Sequence, residues 1–403
     1  MLVLLMLGSG VGCTSRDGSD QAKPSVSSVR TVQRTSFDPP KVFNPAPAAQ
    51  LPRMDPPPSQ RSCVLGDGVL FCATGNGLQA FDSASARVIW SMRPTVSPRA
   101  EGFSAPTFWS SAAPKVRGTT VFTLFGGMLP GTGTGRDRYA WQLSASDAKT
   151  GAQQWQTTVD LGADFGRYPL EIISVTDTSV VIGAAPALPD PPYPTPARAK
   201  AWVVDRDTHQ VRWHRDGFYP GHAAEGEVVG LVASGGPETQ TLLGLSITDG
   251  NEQWRRVSGS NTRFATSNVP GFAIVASERG GLDVVVPKSG AVAYHQPKTG
   301  GLECQFDDEV TVVCQSRAGG DILTFDITAP AQPRWALEQS ATREPPKITA
   351  VYHGLIYGEN ARGQGVSLDA TSGEDAPTQP GIVPIMVDRY IGIADGAVHL
   401  PLE

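Results

Sequence analysis

Five cysteines and six histidines are the residues of this chain best suited to coordinate, attack or cross-link. Cys63 and Cys72 flank Val-Leu-Gly-Asp67-Gly68-Val-Leu-Phe, and a central Asp-Gly marks a two-residue hairpin turn because both positions take positive φ. Folding the chain about that dipeptide sets 66 against 69, 65 against 70 and Cys63 against Cys72. Facing Cα atoms in an antiparallel pair lie roughly 4.5–5.5 Å apart, inside the disulfide range. Cys304 and Cys314 repeat the arrangement about Glu309 with an odd-length loop. The chemistry these four thiols offer is cross-linking, and two bridges imply an oxidising compartment.

The other reactive types point to no chemistry. His209, His214, His222, His295, His353 and His399 match no zinc spacing and read as surface or turn residues. Gly131-Thr-Gly-Thr-Gly135-Arg136 resembles a phosphate-cradling run, yet it lacks the strand-to-helix setting and the Lys-Ser/Thr ending that give such a loop its mechanism. There is no Gly-x-Ser-x-Gly elbow and no marked Ser/His/Asp set. The sequence therefore assigns no catalytic residue, no cofactor ligand and no metal ligand.

The fifth cysteine has a different setting. Met1-Leu-Val-Leu-Leu-Met-Leu7-Gly-Ser-Gly-Val-Gly12-Cys13 is an apolar run, then small residues, then Cys, the order of a signal peptide ending in a lipobox. Gly10 stands where a lipobox carries Leu. Cys13 is expected to carry lipid and to tether the chain to the cell membrane. Residues 14–60 are polar and rich in proline, an extended linker with little apolar surface to bury. Within it Phe37–Phe43 has apolar residues at both ends and reads as a single strand. No stretch approaches the roughly 18 apolar residues of a membrane span. A net charge of −6 without a basic block argues against nucleic acid as a partner.

The elements that must carry these residues follow from a recurring phrase. An Asp is followed by a turn and, eight places on, by Trp: Asp82 to Trp90, Asp147 with Gly151 to Trp155, and Asp205 to Trp213. Weaker copies run through Gly250 to Trp254, Gly290 to Tyr294, Asp326 to Trp335, and Asp369 with Gly373. From Trp213 the steps to Trp254, Tyr294 and Trp335 are 41, 40 and 41 residues. A period near forty in strand-rich units, with 44 Gly and 34 Pro for turns, predicts an all-β propeller of four-stranded antiparallel blades over 61–403. The Asp caps the turn between the third and fourth strands, the Gly supplies a left-handed residue, and the Trp packs on the next unit. These are structural roles.

Seven copies give seven blades. Ile382–Val387, Tyr390–Asp395 and Ala397–Leu402 read as three more strands without a fourth. An open edge leaves unpaired backbone groups, so the strand near 37–43 is expected to close an eighth blade; if it does not, seven remain.

The units Asp67-Gly-Val-Leu-Phe-Cys-Ala-Thr-Gly-Asn-Gly-Leu-Gln-Ala80-Phe-Asp82…Trp90 and Leu143-Ser-Ala-Ser-Asp-Ala-Lys-Thr-Gly151-Ala-Gln-Gln-Trp155 resemble the repeat of the quinoprotein-type (PQQ-like) β-propellers. With its leader and linker the chain is similar to exported actinobacterial lipoproteins of that superfamily. The resemblance implies either a quinone-dependent dehydrogenase or a non-catalytic scaffold. Those dehydrogenases carry adjacent cysteines against the quinone and Glu, Asn and Asp ligands for calcium. Here no two cysteines are adjacent, so the non-catalytic branch is expected.

Strand parity then locates a surface. Loops between second and third strands, and between blades, emerge on one face. The long ones are Pro94–Pro114, Phe125–Arg138, Leu161–Pro169, Ala185–Lys200 and Asp216–Glu227, all around blades one to three. They carry Phe103, Phe108, Trp109, Met128, Arg136, Tyr168, Tyr193, Phe218 and Tyr219, the aromatic and Arg types that anchor binding surfaces. The expected protein is an exported, membrane-anchored, monomeric propeller that binds or scaffolds envelope proteins. A small-molecule sensor is the first alternative and a quinone-dependent dehydrogenase the second.

Overall fold

The computed structural model describes residues 35–52, 62–74, 77–96, 113–162, 169–185, 196–233, 240–259, 261–266, 269–277, 281–297, 302–316, 319–340 and 342–402. Eight antiparallel sheets follow one another at 63–92, 115–162, 170–216, 218–257, 262–296, 302–337, 347–369 and 386–399. Their innermost strands touch in sequence from blade to blade, and blade eight returns to blade one, closing an eight-bladed β-propeller. Among the described residues the only helix is the short 3-10 turn Pro196–Arg198. Each sheet interface holds its own buried apolar cluster, eight in all, so the core is a ring of wedges rather than one centre.

The recurring phrase does what its residue types dictate. Asp147 Oδ1 accepts bonds from Lys149 N (3.1 Å) and Thr150 N (2.8 Å). Asp205 caps Asp207 and Thr208 in the same way, and Asp82, Asp326 and Asp369 cap theirs. The Trp reaches across the interface to the next blade's turn. Trp90 Nε1 donates to Ala148 O at 3.1 Å, Trp213 to Ile247 O at 3.0 Å, Trp254 to Pro287 O at 2.6 Å and Trp335 to Ala370 O at 2.9 Å. The turn glycine lies under the ring: at Gly151, with φ +72°, a Cβ would stand 2.5 Å from Trp90. Blade three has His209 at that place (φ 60°), and the imidazole stacks on Trp155 at 4.8 Å.

Both cysteine pairs sit directly opposite one another in the first hairpins of blades one and six and form disulfides, with Cα–Cα distances of 4.1 and 4.0 Å. Two bridges at two hydrogens each predict a mass gain of four hydrogens on reduction, measurable on the intact protein. Loops this short predict a loss of about 2–3 kcal/mol per bridge in denaturant unfolding. A mass unchanged by reductant would show the thiols free.

Ring closure uses the N-terminal segment, though not at 37–43. The fourth strand of blade eight is Ala49–Gln50, paired with Val398 and Ala397; of the expected span only Phe43 makes a bridge, to Pro401. The reason lies in Asp38-Pro39-Pro40: proline has no N–H to donate to a ladder. Blade seven also departs from four strands. It has three, with a single bridge, Leu368 to Asp375, where the fourth would start, and Pro377 stands eight places after Asp369 where other blades carry Trp. Phe43 fills that gap. It is fully buried among Ala350, Tyr352, Leu355 and Tyr357 of blade seven, and its ring lies against Gly392 of blade eight, where a Cβ would come within 2.8 Å. The compact unit accordingly begins at Ser36 and includes this segment.

Candidate functional site

The face carrying the inter-blade connections is built around blade two. Its second, third and outer strands, Thr120–Leu129, Arg138–Asp147 and Gln153–Gly162, each run ten residues, against seven or fewer in every other blade. The segment read as a loop over 125–138 is therefore mostly strand. Met128 lies on it and is buried, and only 130–137 form the turn, where Arg136 is exposed. A second correction concerns 216–227. Blades three and four are joined by Gly217 alone, so Phe218 and Tyr219 belong to the inner strand Phe218–Ala224. Phe218 is buried in the interface of blades three and four, and Tyr219 is half-buried. Phe103, Phe108, Trp109, Tyr168 and Tyr193, like Cys13, lie outside the described residues. Of the four expected residues that are described, Arg136 is the exposed one.

The inner strands hold polar groups that periodicity alone could not single out. Four of them are bulged, at Ile173, Gly221, Ala265 and Thr349, and two places before each bulge stand Glu171, Tyr219, Arg263 and Lys347. Burial holds the Lys115 amine below its ordinary range and lifts the Glu171 carboxyl above its own, each effect partly offset by the other's charge. Burial also pushes the Tyr219 phenol far up, with Glu171 adding to it. His222 is buried with neither ring nitrogen bonded, and burial takes its pKa down to about 4. A neutral imidazole without an orienting partner is poorly placed for acid–base work. His222 and His399 are thus core residues rather than surface ones.

A concavity opens between blades seven and eight. This cleft between blades seven and eight has a volume of about 1070 Å³, and Lys347, Glu359, Asp395 and His399 are its ionisable lining. Among the described residues no cluster of three or more His, Cys, Asp or Glu is arranged to hold a metal.

A closed ring of eight blades, five of them docked on the next through the motif Trp, is a propeller of the quinoprotein-like class. The family profile PQQ_2, described as outer membrane protein assembly factor BamB, matches residues 58–184 and 143–379, and the chain belongs to that family. A curated relative, the serine/threonine-protein kinase AfsK of Streptomyces griseus, is 24% identical over 199 residues. That match takes in 46% of this chain and 20% of the kinase, so the chain spans about a fifth of that relative's length. Among solved structures, the computationally designed Ika8 protein matches with a TM-score of 0.53 at 15% identity, covering 88% of this chain and 98% of that one. BamB from Moraxella catarrhalis matches at 0.43 and 16% identity, over 77% and 82%.

Proposed function

We propose that this propeller is exported, tethered to the cell membrane through lipid on Cys13, and serves as a protein-binding or scaffolding module in the cell envelope. The observation that carries the reading is the length of the strands of blade two, ten residues against seven or fewer elsewhere, beside which the sequence places its longest connections, 93–114 and 185–199. Rigid strands holding variable loops at one end are how scaffolds present contact residues. Two disulfides support a compartment outside the cytoplasm. Family membership supports a protein-assembly role, and the lack of adjacent cysteines weighs against the quinone-dependent branch.

The test is in-cell cross-linking followed by capture of the tagged chain from solubilised membranes. Trp109→Ala, Tyr193→Ala and Arg136→Ala combined are expected to lower recovery of the dominant cross-linked partner about tenfold or more, as loss of anchoring side chains does. Unchanged recovery would remove this face from consideration. A Cys13→Ser variant is expected to leave the membrane fraction, and its retention there would exclude the lipid anchor.

A small-molecule sensor is the second reading. The polar cleft between blades seven and eight is the feature that favours it.

A further inference from the structure

The cleft between blades seven and eight lies where the closing segment meets both blades. Every other described interface is filled at its outer side by the fourth strand of the preceding blade. In blade seven the irregular segment 374–382 runs beside Gly365–Asp369 instead, and Phe43 fills the apolar part of this interface. What remains open is walled by the inner strand of blade seven, by its Glu359–Gly365 connection, by 379–385, by the Asp395 turn of blade eight, and by Pro45 of the closing segment. At about 1070 Å³ it stands at the upper end of small-molecule sites, roughly 300–1,000 Å³.

Three observations describe what such a volume would hold. First, Lys347 and Glu359 are register partners on adjacent strands, which puts their side chains next to each other on one sheet face. Second, no ion pair or hydrogen bond joins the two, and both residues line the cleft, so one cationic and one anionic side chain are available to a ligand there. Third, His399 lines the same cleft while 6% exposed. Its Nδ1 donates to Asn44 O at 2.9 Å, which fixes the ring and leaves Nε2 as the polar atom not yet bonded. Asp395, exposed at the rim, adds a second carboxylate.

We infer that this cleft binds an α-amino-acid-type zwitterion, free or at the end of a short peptide, with its carboxylate on Lys347 and its ammonium on Glu359. Neighbouring opposite charges on the protein call for neighbouring opposite charges on the ligand. That is the α-amino acid pattern; a neutral saccharide or an isolated anion leaves one protein charge unmet. His399 Nε2 accepts a hydrogen bond from a donor deeper in the site, and Asp395 adds to the attraction for the ammonium. The inference does not rest on the scaffold reading: its test varies Lys347, Glu359 and His399, none of them changed in the cross-linking experiment.

Titration calorimetry of the purified full-length chain tests it with a panel of L-α-amino acids and dipeptides, their N-acetyl and carboxamide derivatives, and neutral sugars. Saturable binding of at least one zwitterion is expected. Blocking either end of it, or making Lys347→Ala or Glu359→Gln, should weaken binding about tenfold, the worth of one charged hydrogen bond. His399→Gln reports on the deeper contact with a smaller loss, and unchanged melting of each variant confirms the fold. Absence of binding across the zwitterions, preference for sugars or singly charged derivatives, or affinity indifferent to both charge variants would overturn the assignment.

Discussion

Phe43→Ala is expected to lower the unfolding free energy by about 3–5 kcal/mol, the usual cost of truncating a fully enclosed phenylalanine. The site has no means of collapsing around the loss. Tyr357 lies beside the ring at 6.1 Å, Gly392 has no side chain to move in, and the bridge to Pro401 fixes the backbone. The residue also holds blades seven and eight together where a tryptophan does so elsewhere, so the damage should be local before it is global. Guanidinium unfolding measures the first effect; protease cleavage within 35–52 under native conditions measures the second. A variant within about 1 kcal/mol of the parent, the size of an ordinary substitution, would show that the ring closes without this wedge.

Asp388→Ala carries the second large effect. One carboxylate oxygen accepts Tyr390 N (2.8 Å) and Ile391 N (3.0 Å), while the other accepts Gly68 N at 2.7 Å across the joint between blade eight and blade one. Asp388 is 5% exposed, so its removal leaves two buried N–H groups and a partly buried third without their acceptor. At about 1–3 kcal/mol for each buried group left unmatched, the loss is roughly 3 kcal/mol or more. Asp388→Asn keeps one oxygen and turns an NH₂ towards one of the donors, so roughly 1–3 kcal/mol is expected. The ordering, with Ala worse than Asn and both worse than the parent, is read from the same denaturation curves; equal stability of all three would sink the argument. Asp307 does the same work between blades six and seven, bonding Glu309, Val310 and Thr311 of its own turn and Gly354 N of the next.

How far the sequence could be read depended on how local each signal was. The Asp, Gly and Trp of the repeat act within one turn and one interface, so their spacing gave seven of the eight blades, and the eighth had to be read from the strand pattern of 382–402. Cys63 and Cys72 face each other because Asp67-Gly68 sets the register, and both are visible in ten residues. The errors arose where a local cue had a distant cause. Pro220-Gly221 resembles a loop, but Gly221 is a bulge in an inner strand, needed because a Cβ would lie 1.7 Å from the Phe264 ring of blade five. Gly126-Gly127 likewise lies inside a ten-residue strand. Ala49–Gln50 has no strand signature of its own; its pairing is imposed by an edge that forms elsewhere. Lys347 and Glu359 became a pair only through register, and the cleft they line is assembled from segments far apart in the chain.

The first strand to be made and the last hairpin it joins, Ala49 and Val398, are 349 positions apart. A chain emerging amino end first therefore holds its latch unfastened until nearly every blade has been produced. Such distant pairing slows folding, and products cut short before blade eight would present a raw sheet margin to proteases and chaperones. Completeness of synthesis is thereby checked by the architecture itself.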